Sequence, residues 1–552
     1  MHGDIQESDE MWIAAAPSFE FDWLAEPEMF IPEGPTFDND GHLYFSPLYP
    51  KEDVSLVVLD AKTGRRLWSL PGAGGGGGAP LILNDPTRPG RQMVYHATYE
   101  QFWATTSDGQ IVWQRATGLH EPEVIQGELT PTHQWGVNYV PQADAVIGVT
   151  MDAYLIAHDR TTGKQLASPF RLPGSPTKPV ETTLPKRAIK WGNETSIEAF
   201  GAKKNGISHF EDVLQIIYGG RAQISNAYAV DPHSGRIFIA ATAPDESDGL
   251  IDGMSANGAI YAVELQKTPA GFSFNVVQRY DFVGGSGSTP AVSQDGKRLM
   301  VSDELGNVIA LNAQTLEEDW RLNVGDQLAA SIAISSDNDE LYAVTKTDVF
   351  KLIDMGKSAK LVWRASLDAY PDAVNFNALT PTIVANGLLI SQGAGVKLGN
   401  GQLMAKVGVG LLDRATGELR YFAEGREDSI SVTSIGPGGD FYTAGSPIRR
   451  MAAKGLYGER IPKIVGGISR YKNTNKPLLA KEAMCSAAFR AANAANFEAS
   501  NPKSAAVDRK QVRVLLKQAL ANEGNNSDVI SALLEVELSL SAVAEKLLPQ
   551  CQ

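Results

Sequence analysis

Cysteine and histidine are scarce in this chain of 552 residues, with 2 Cys and 8 His. There is no CxxC pair, no His/Cys cluster with metal-ligand spacing and no HExxH. A zinc hydrolase and a thiol nucleophile are therefore not expected. A Gly-x-Ser-x-Gly elbow and a GxxxxGK[ST] loop are also missing, which removes the serine-hydrolase and phosphate-cradle patterns. No stretch approaches the ~18–20 apolar residues that a membrane-crossing helix needs. Positive charge is short as well: 49 Lys and Arg stand against 64 Asp and Glu, a net charge of −15. That field repels phosphate backbones, so no nucleic-acid partner is expected. The acidic opening, Met1 to Glu10, has neither a basic n-region nor an apolar h-region.

The chain does have a globular composition, 43% hydrophobic, with 53 Gly and 30 Pro to supply turns. From about Phe21 to Lys472 one phrase recurs: an apolar run, then Asp-x-x-Thr-Gly, then Trp or another large residue. Clear copies run from Leu56 through Asp60, Thr63 and Gly64 to Trp68, and from Leu155 through Asp159, Thr162 and Gly163 to Leu166. Others end at Trp320 and Tyr421, and degenerate copies end at Trp113 and Trp363. The phrase reads as a β-hairpin whose glycine takes a positive φ, with the indole buried against the neighbouring unit. A second hairpin precedes most copies, and two hairpins make a four-stranded antiparallel blade. Eight such units fit the chain, the first over 21–74 and the last over 428–472. The fold class expected is all-β: an eight-bladed β-propeller followed by a small C-terminal α-helical bundle.

The repeat resembles the tryptophan-docking repeat of the PQQ-like (quinoprotein alcohol dehydrogenase-like) propeller superfamily over about 450 residues. That resemblance implies eight blades. It implies either of two kinds of member: quinoprotein dehydrogenases, or cofactor-free proteins such as the outer-membrane assembly lipoprotein of the BAM complex. In the enzymes, pyrroloquinoline quinone (PQQ) lies at the centre, with Ca²⁺ held by Glu, Asn and Asp, beside a catalytic Asp, an Arg and often an adjacent Cys-Cys disulfide. This sequence has no Cys-Cys pair. Tyr280-Asp281-Phe282 stands where the family's Trp-Asp-Tyr falls, and Ala240 to Asp248 takes the place of its metal loop without the Asn.

Ligands of propellers bind at the central channel, near the loops leading into the innermost strands. The candidates for binding a cofactor or ligand there are His133, Trp135 and Asn138, then Trp191, Asn226 and Asn377. They offer an imidazole, indoles and amides to an aromatic or carbonyl ligand. Glu194, Asp245 and Asp248 are the candidate metal ligands, with hard oxygens suited to Ca²⁺. Arg449 and Arg450 could meet a carboxylate. Each group also reads as ordinary structure: strand ends whose Trp packs, solvated acidic loops, an exposed arginine pair. No residue is assigned a catalytic role.

Both cysteines, Cys485 and Cys551, lie in the tail, where helical spacing appears over 476–498, over 507–520 and from a cap at Ser527 to Pro549. They read as one disulfide closing a three-helix bundle, or as two buried thiols. The organisation expected is an N-terminal segment 1–20, a propeller 21–474 with an insertion at about 174–221, and a helical domain 475–552. The function expected is an exported propeller, periplasmic or secreted with its signal removed, binding a small molecule or protein partner at its central channel face. The alternative is an atypical PQQ- and Ca²⁺-dependent oxidoreductase.

Overall fold

The computed structural model describes residues 4–48, 52–72, 78–120, 124–125, 128–129, 133–176, 186–200, 223–285, 288–325, 328, 331–336, 339–345, 347–366, 374–377, 381–398, 401–425, 429, 433–436, 438–447, 450–451, 454, 458–496, 498 and 502–551. Eight sheets of four or more strands stand around a common axis, the eight-bladed propeller expected. Their innermost strands are Thr36–Phe37, Leu81–Asn84, Gln134–Val140, Ala229–Val230, Ala291–Val292, Ala333–Ile334, Thr382–Val384 and Ser434–Ile435, here blades one to eight. The glycine run 73–77 lies outside the described residues, as do 177–185 and 201–222 of the insertion.

The repeated phrase is the joint between blades. In each Asp-x-x-Thr-Gly turn the carboxylate folds back on the threonine: Asp159 Oδ1 accepts from Thr162 N and Oγ1, both at 2.7 Å. Gly64, Gly163 and Gly417 then take φ of +71°, +69° and +77°. On each lies the indole of the preceding blade, and that indole donates to a carbonyl of the same turn. Trp23 reaches Lys62 O, Trp113 reaches Arg160 O and Trp363 reaches Arg414 O, at 3.1–3.2 Å. A Cβ at Gly163 would sit 2.5 Å from Trp113, so only glycine permits this contact.

The first and last units differ from the sequence expectation at one point. Blade eight draws only Ser434–Ile435, Phe441–Ala444 and Ile468–Asn473 from the C-terminal side, and its outermost strand is Phe19–Ala25. That strand runs antiparallel to Ile468–Asn473, with Glu20 opposite Lys472 and Leu24 opposite Ser469. Residues 21–25 therefore belong to the last blade. Pairing them there closes the ring and leaves no blade with an open edge at the junction.

One helix of the insertion, α1 (Lys186–Phe200), rests on the loop before blade one through an edge-on contact of Phe200 with Phe30, centroids 5.7 Å apart. The tail forms four helices where three were expected: α2 (Lys476–Ala495), α3 (Pro502–Asn522), α4 (Ser527–Glu535) and α5 (Leu540–Leu547). Two caps explain the division. Asn526, not Ser527, caps α4, and Ser539 interrupts the third apolar run by accepting from Ala542 N at 3.2 Å. Leu479, Ala483, Ala487, Leu516, Val529, Val543 and Leu547 fill the core between these helices. Cys485 and Cys551 are disulfide-bonded across 66 residues. By loop entropy this stabilises the bundle by about 4 kcal/mol. No helix among the described residues is long and apolar enough to cross a membrane.

Two measurements test these joints. Gly90 has a φ of +81° with nothing within 4 Å of its absent Cβ, so Gly90→Ala should cost only the roughly 1–2 kcal/mol of left-handed strain. Gly163→Ala must also displace an indole and should cost about 3 kcal/mol or more in denaturant titrations; equal losses would remove the docking argument. His96 is buried in blade two, stacked on Trp103 at 5.6 Å, and burial pushes its pKa down to about 3. The unfolded chain protonates this histidine near pH ~6.5 while the fold refuses the proton. Its contribution is complete above that pH and is lost, by up to about 1.4 kcal/mol per pH unit, as pH falls toward 3. His96→Phe should therefore flatten the fall of stability with acid by one proton; an unchanged slope would refute the assignment.

Candidate functional site

The innermost strand of each blade has one neighbour, so its other edge presents backbone groups to the axis. Around blades four to eight those groups meet the chain's own N-terminal segment. The amides of Val230, Val292, Ile334, Ile383 and Ala385 donate to the carbonyls of Ile5, Gln6, Ser8, Asp9 and Ile13, at 2.7–3.0 Å, and Ala16 N donates to Gly439 O. Glu10–Met11 pairs parallel with Thr382–Val384. Glu7 and Asp9 both take φ of +58°. These kinks turn the segment from blade to blade, where a straight strand would leave the curve of the hub. The segment is a strap lying against the inner edges of blades four to seven, and it meets blade eight at the hairpin turn of Gly439.

Side chains fix it in place. Glu10, nearly buried, accepts from Ser335 Oγ and Ser336 N at 3.1 Å and from Trp12 Nε1 at 3.2 Å. Ala14 exchanges two hydrogen bonds with the Gln518 amide of α3, at 2.8 and 2.7 Å, so the strap also ties the helical tail to the hub. Asp4 accepts from Ser8 Oγ at 2.6 Å and Gln6 N at 2.9 Å. Burial nonetheless raises its pKa above the usual carboxylate value, the hydrogen bonds offsetting this only in part.

Between strap and blades lies a cavity of about 590 Å³. Ile5, Met11 and Ile13 of the strap form one wall, and the inner strands of blades one, two, three and eight form the others, with Phe37, Leu81, Leu83, Val137 and Ile435. Asp4, Asp9, Glu33 and Asp38 supply carboxylates, and no Lys or Arg is among the described lining residues. Asp38 is engaged with its own blade, accepting from Tyr44 Oη at 2.7 Å and pairing with His42 Nδ1 at 2.8 Å.

The sequence candidates fall in several places. Asn138 is at the hub, lining this cavity, and its Nδ2 donates to Ile5 O at 3.1 Å and Tyr228 O at 3.0 Å. Trp135 is buried on the same strand and gives its indole N–H to Ile224 O at 2.9 Å. These two residues bring blade three against the 224–228 stretch that holds Asn226, whose Oδ1 accepts from Ala227 N at 2.9 Å. His133 is half-buried at the start of that strand, its carbonyl held by Met151 N. The second place is α1, which carries half-buried Trp191 and exposed Glu194; Glu194 lies 4.0 Å from Lys190. The third is the loop of blade four. There Asp245 Oδ1 accepts from the amides of Asp252, Gly253 and Met254, and Asp248 accepts from Leu250 N and Ala256 N. Asn377 is on the strand Val374–Asn377, opposite Gln392. Arg450 is buried, and Arg449 lies outside the described residues.

Sequence reasoning missed the strap, because an acidic start reads as a solvated tail. The available signal was the run Met11-Trp12-Ile13-Ala14-Ala15-Ala16, too apolar to stay in water.

The residues present do not fit PQQ with Ca²⁺. Among the described lining residues a quinone tricarboxylate at the hub would face four carboxylates and no arginine or lysine. Among the described residues no group of three or more His, Cys, Asp or Glu could hold a metal ion. Asp281, singled out by the resemblance, is paired with Arg279 at 2.7 Å near the end of the strand Gly271–Phe282.

Asn138 is the clearest determinant of strap docking. Asn138→Ala removes one of two donors to Ile5 O, the other being Val230 N, together with the donor to Tyr228 O, at a cost of about 1–3 kcal/mol. Hydrogen exchange should accelerate in residues 5–9 while the outer strands stay protected; uniform acceleration would make Asn138 an ordinary core residue.

Comparison with known proteins gives one sequence match. The family model described as outer membrane protein assembly factor BamB matches residues 9–170 and 224–429, more than half of the chain. No curated protein matches. Similar solved structures include a europium-containing methanol dehydrogenase, at 12% identity and a TM-score of 0.48 over 85% of this chain and 96% of that one. The quinohemoprotein alcohol dehydrogenase from Comamonas testosteroni is similar at 13% identity, also with a TM-score of 0.48, over 85% and 79%. BamB from Moraxella catarrhalis is similar at 10% identity and 0.34, over 71% and 95%.

Proposed function

This chain belongs to the PQQ-like propeller family described as outer membrane protein assembly factor BamB, and from that membership we propose that it is an exported, non-redox propeller that docks a protein partner at its central channel. The observation that carries the reading is at the hub. The inner blade edges already take up a length of main chain on four blades, and the rest of the ring borders a cavity. A surface that binds backbone in this way suits a polypeptide ligand. The carboxylates among the described lining residues support a protein partner over a quinone acid. Export is supported by the disulfide between Cys485 and Cys551, a bond that persists in oxidising compartments.

The test is photocrosslinking from a reactive amino acid at position 83 on the channel and, as a control, at position 362 on an exposed outer strand, in an envelope extract of the cells that make the protein. Adducts from position 83 and none from position 362 are expected. Adducts confined to position 362 would overturn the reading. So would a bound-quinone spectrum with dye-linked alcohol oxidation after addition of PQQ and Ca²⁺.

A further inference from the structure

We propose that the cleft between the helical tail and the strap binds a small neutral aromatic molecule carrying an N–H or O–H donor, the class to which indole and phenol belong. The site is separate from the docking channel. Among the described lining residues only Met11 of the strap borders both cavities.

The cleft has a volume of about 490 Å³, room for a small organic ligand. One face of α2 lines it, with Glu482, Cys485, Ser486, Phe489, Arg490 and Asn493 at spacings of three and four. The strap and two turns of blade seven form the opposite side, and α3 adds Gln511 and Leu515.

The ionised side chains of this lining are already engaged by the protein. Glu10 holds Ser335 and Ser336, Glu482 pairs with Arg420, and Asp413 accepts from the amides of Ala415 and Thr416. Arg414 pairs with Glu340 at 2.8 Å, and Arg490 with Asp508 at 3.0 Å. A charged ligand would lose water here and find no counter-charge left for it, so a neutral one is favoured.

Two further features set the ligand's chemistry. Gln511 is 1% exposed; its Nε2 donates to Ser336 Oγ at 3.2 Å, while its Oε1 has no hydrogen-bond partner among the described residues. A buried acceptor left in that state calls for a donor from the ligand. Phe489 leaves its ring 55% exposed, and Met11, half-buried Trp12 and Leu515 border the same space. Aromatic rings and a thioether suit a flat aromatic partner.

The probe is indole, titrated into the full chain by calorimetry. N-methylindole, which lacks the donor, and indole-3-acetate, which adds a charge, are its companions. Indole should saturate, and each companion should bind about five- to tenfold more weakly, the loss expected for one hydrogen bond or one unpaired charge. In Gln511→Leu indole should fall to the affinity of N-methylindole, whose own affinity stays unchanged. Phe489→Ala, at an exposed position, should weaken indole and N-methylindole alike with the melting temperature unchanged. No binding of indole up to its solubility limit would overturn the proposal. So would equal affinity for indole and N-methylindole, tighter binding of the acetate, or binding indifferent to Phe489→Ala. These comparisons decide the matter even where Gln511→Leu fails to fold.

Discussion

An indole lying on a glycine is the contact on which this ring depends. The Asp-x-x-Thr-Gly turn bends through a positive φ at Gly64, Gly163 and Gly417, and the same glycine clears the floor on which the neighbouring blade sets its tryptophan. One residue thus meets a backbone requirement inside its own blade and a steric requirement of the next. The indole N–H then closes on a turn carbonyl, which fixes the angle between blades as well as their separation. Blades held at a constant angle close into a ring, and a closed ring has a hub.

The first 25 residues complete the ring twice. Phe19–Ala25 supplies the outermost strand of the last blade, and residues 5–16 pass around the inner ends of five blades. Rim and axis are therefore buckled by one stretch of chain, and Gln518 ties the helical tail to it. This explains why so acidic a segment is buried: Glu10 and Asp4 exchange water for serine hydroxyls and backbone amides. It also separates this hub from one built for an anionic quinone, since the charge at the axis is already negative.

Much of this was legible in the chain itself. The blade repeat, its hairpins and the docking tryptophans follow from spacing alone, because they are local. The tail read as helical, but the break at Ser539 did not, since a continuous apolar run hides a capping serine. Trp135 and Asn138 both lie on the innermost strand of blade three. Their amide and indole are engaged by Ile5, Tyr228 and Ile224, contacts made across roughly ninety residues or more that no local pattern encodes. Spacing also does not reveal that oxygens of Asp245 and Asp248 turn inward to the amides of their own loop.

Sequence by itself determined the number and kind of blades, because each blade is set by hairpin turns only a few residues long. Tertiary structure alone decided which end of the chain closes the ring and what occupies the axis. Both outcomes depend on inner and outer strand edges left without partners after all local hydrogen bonds are made, and such an edge accepts whichever distant backbone the closed ring brings to it.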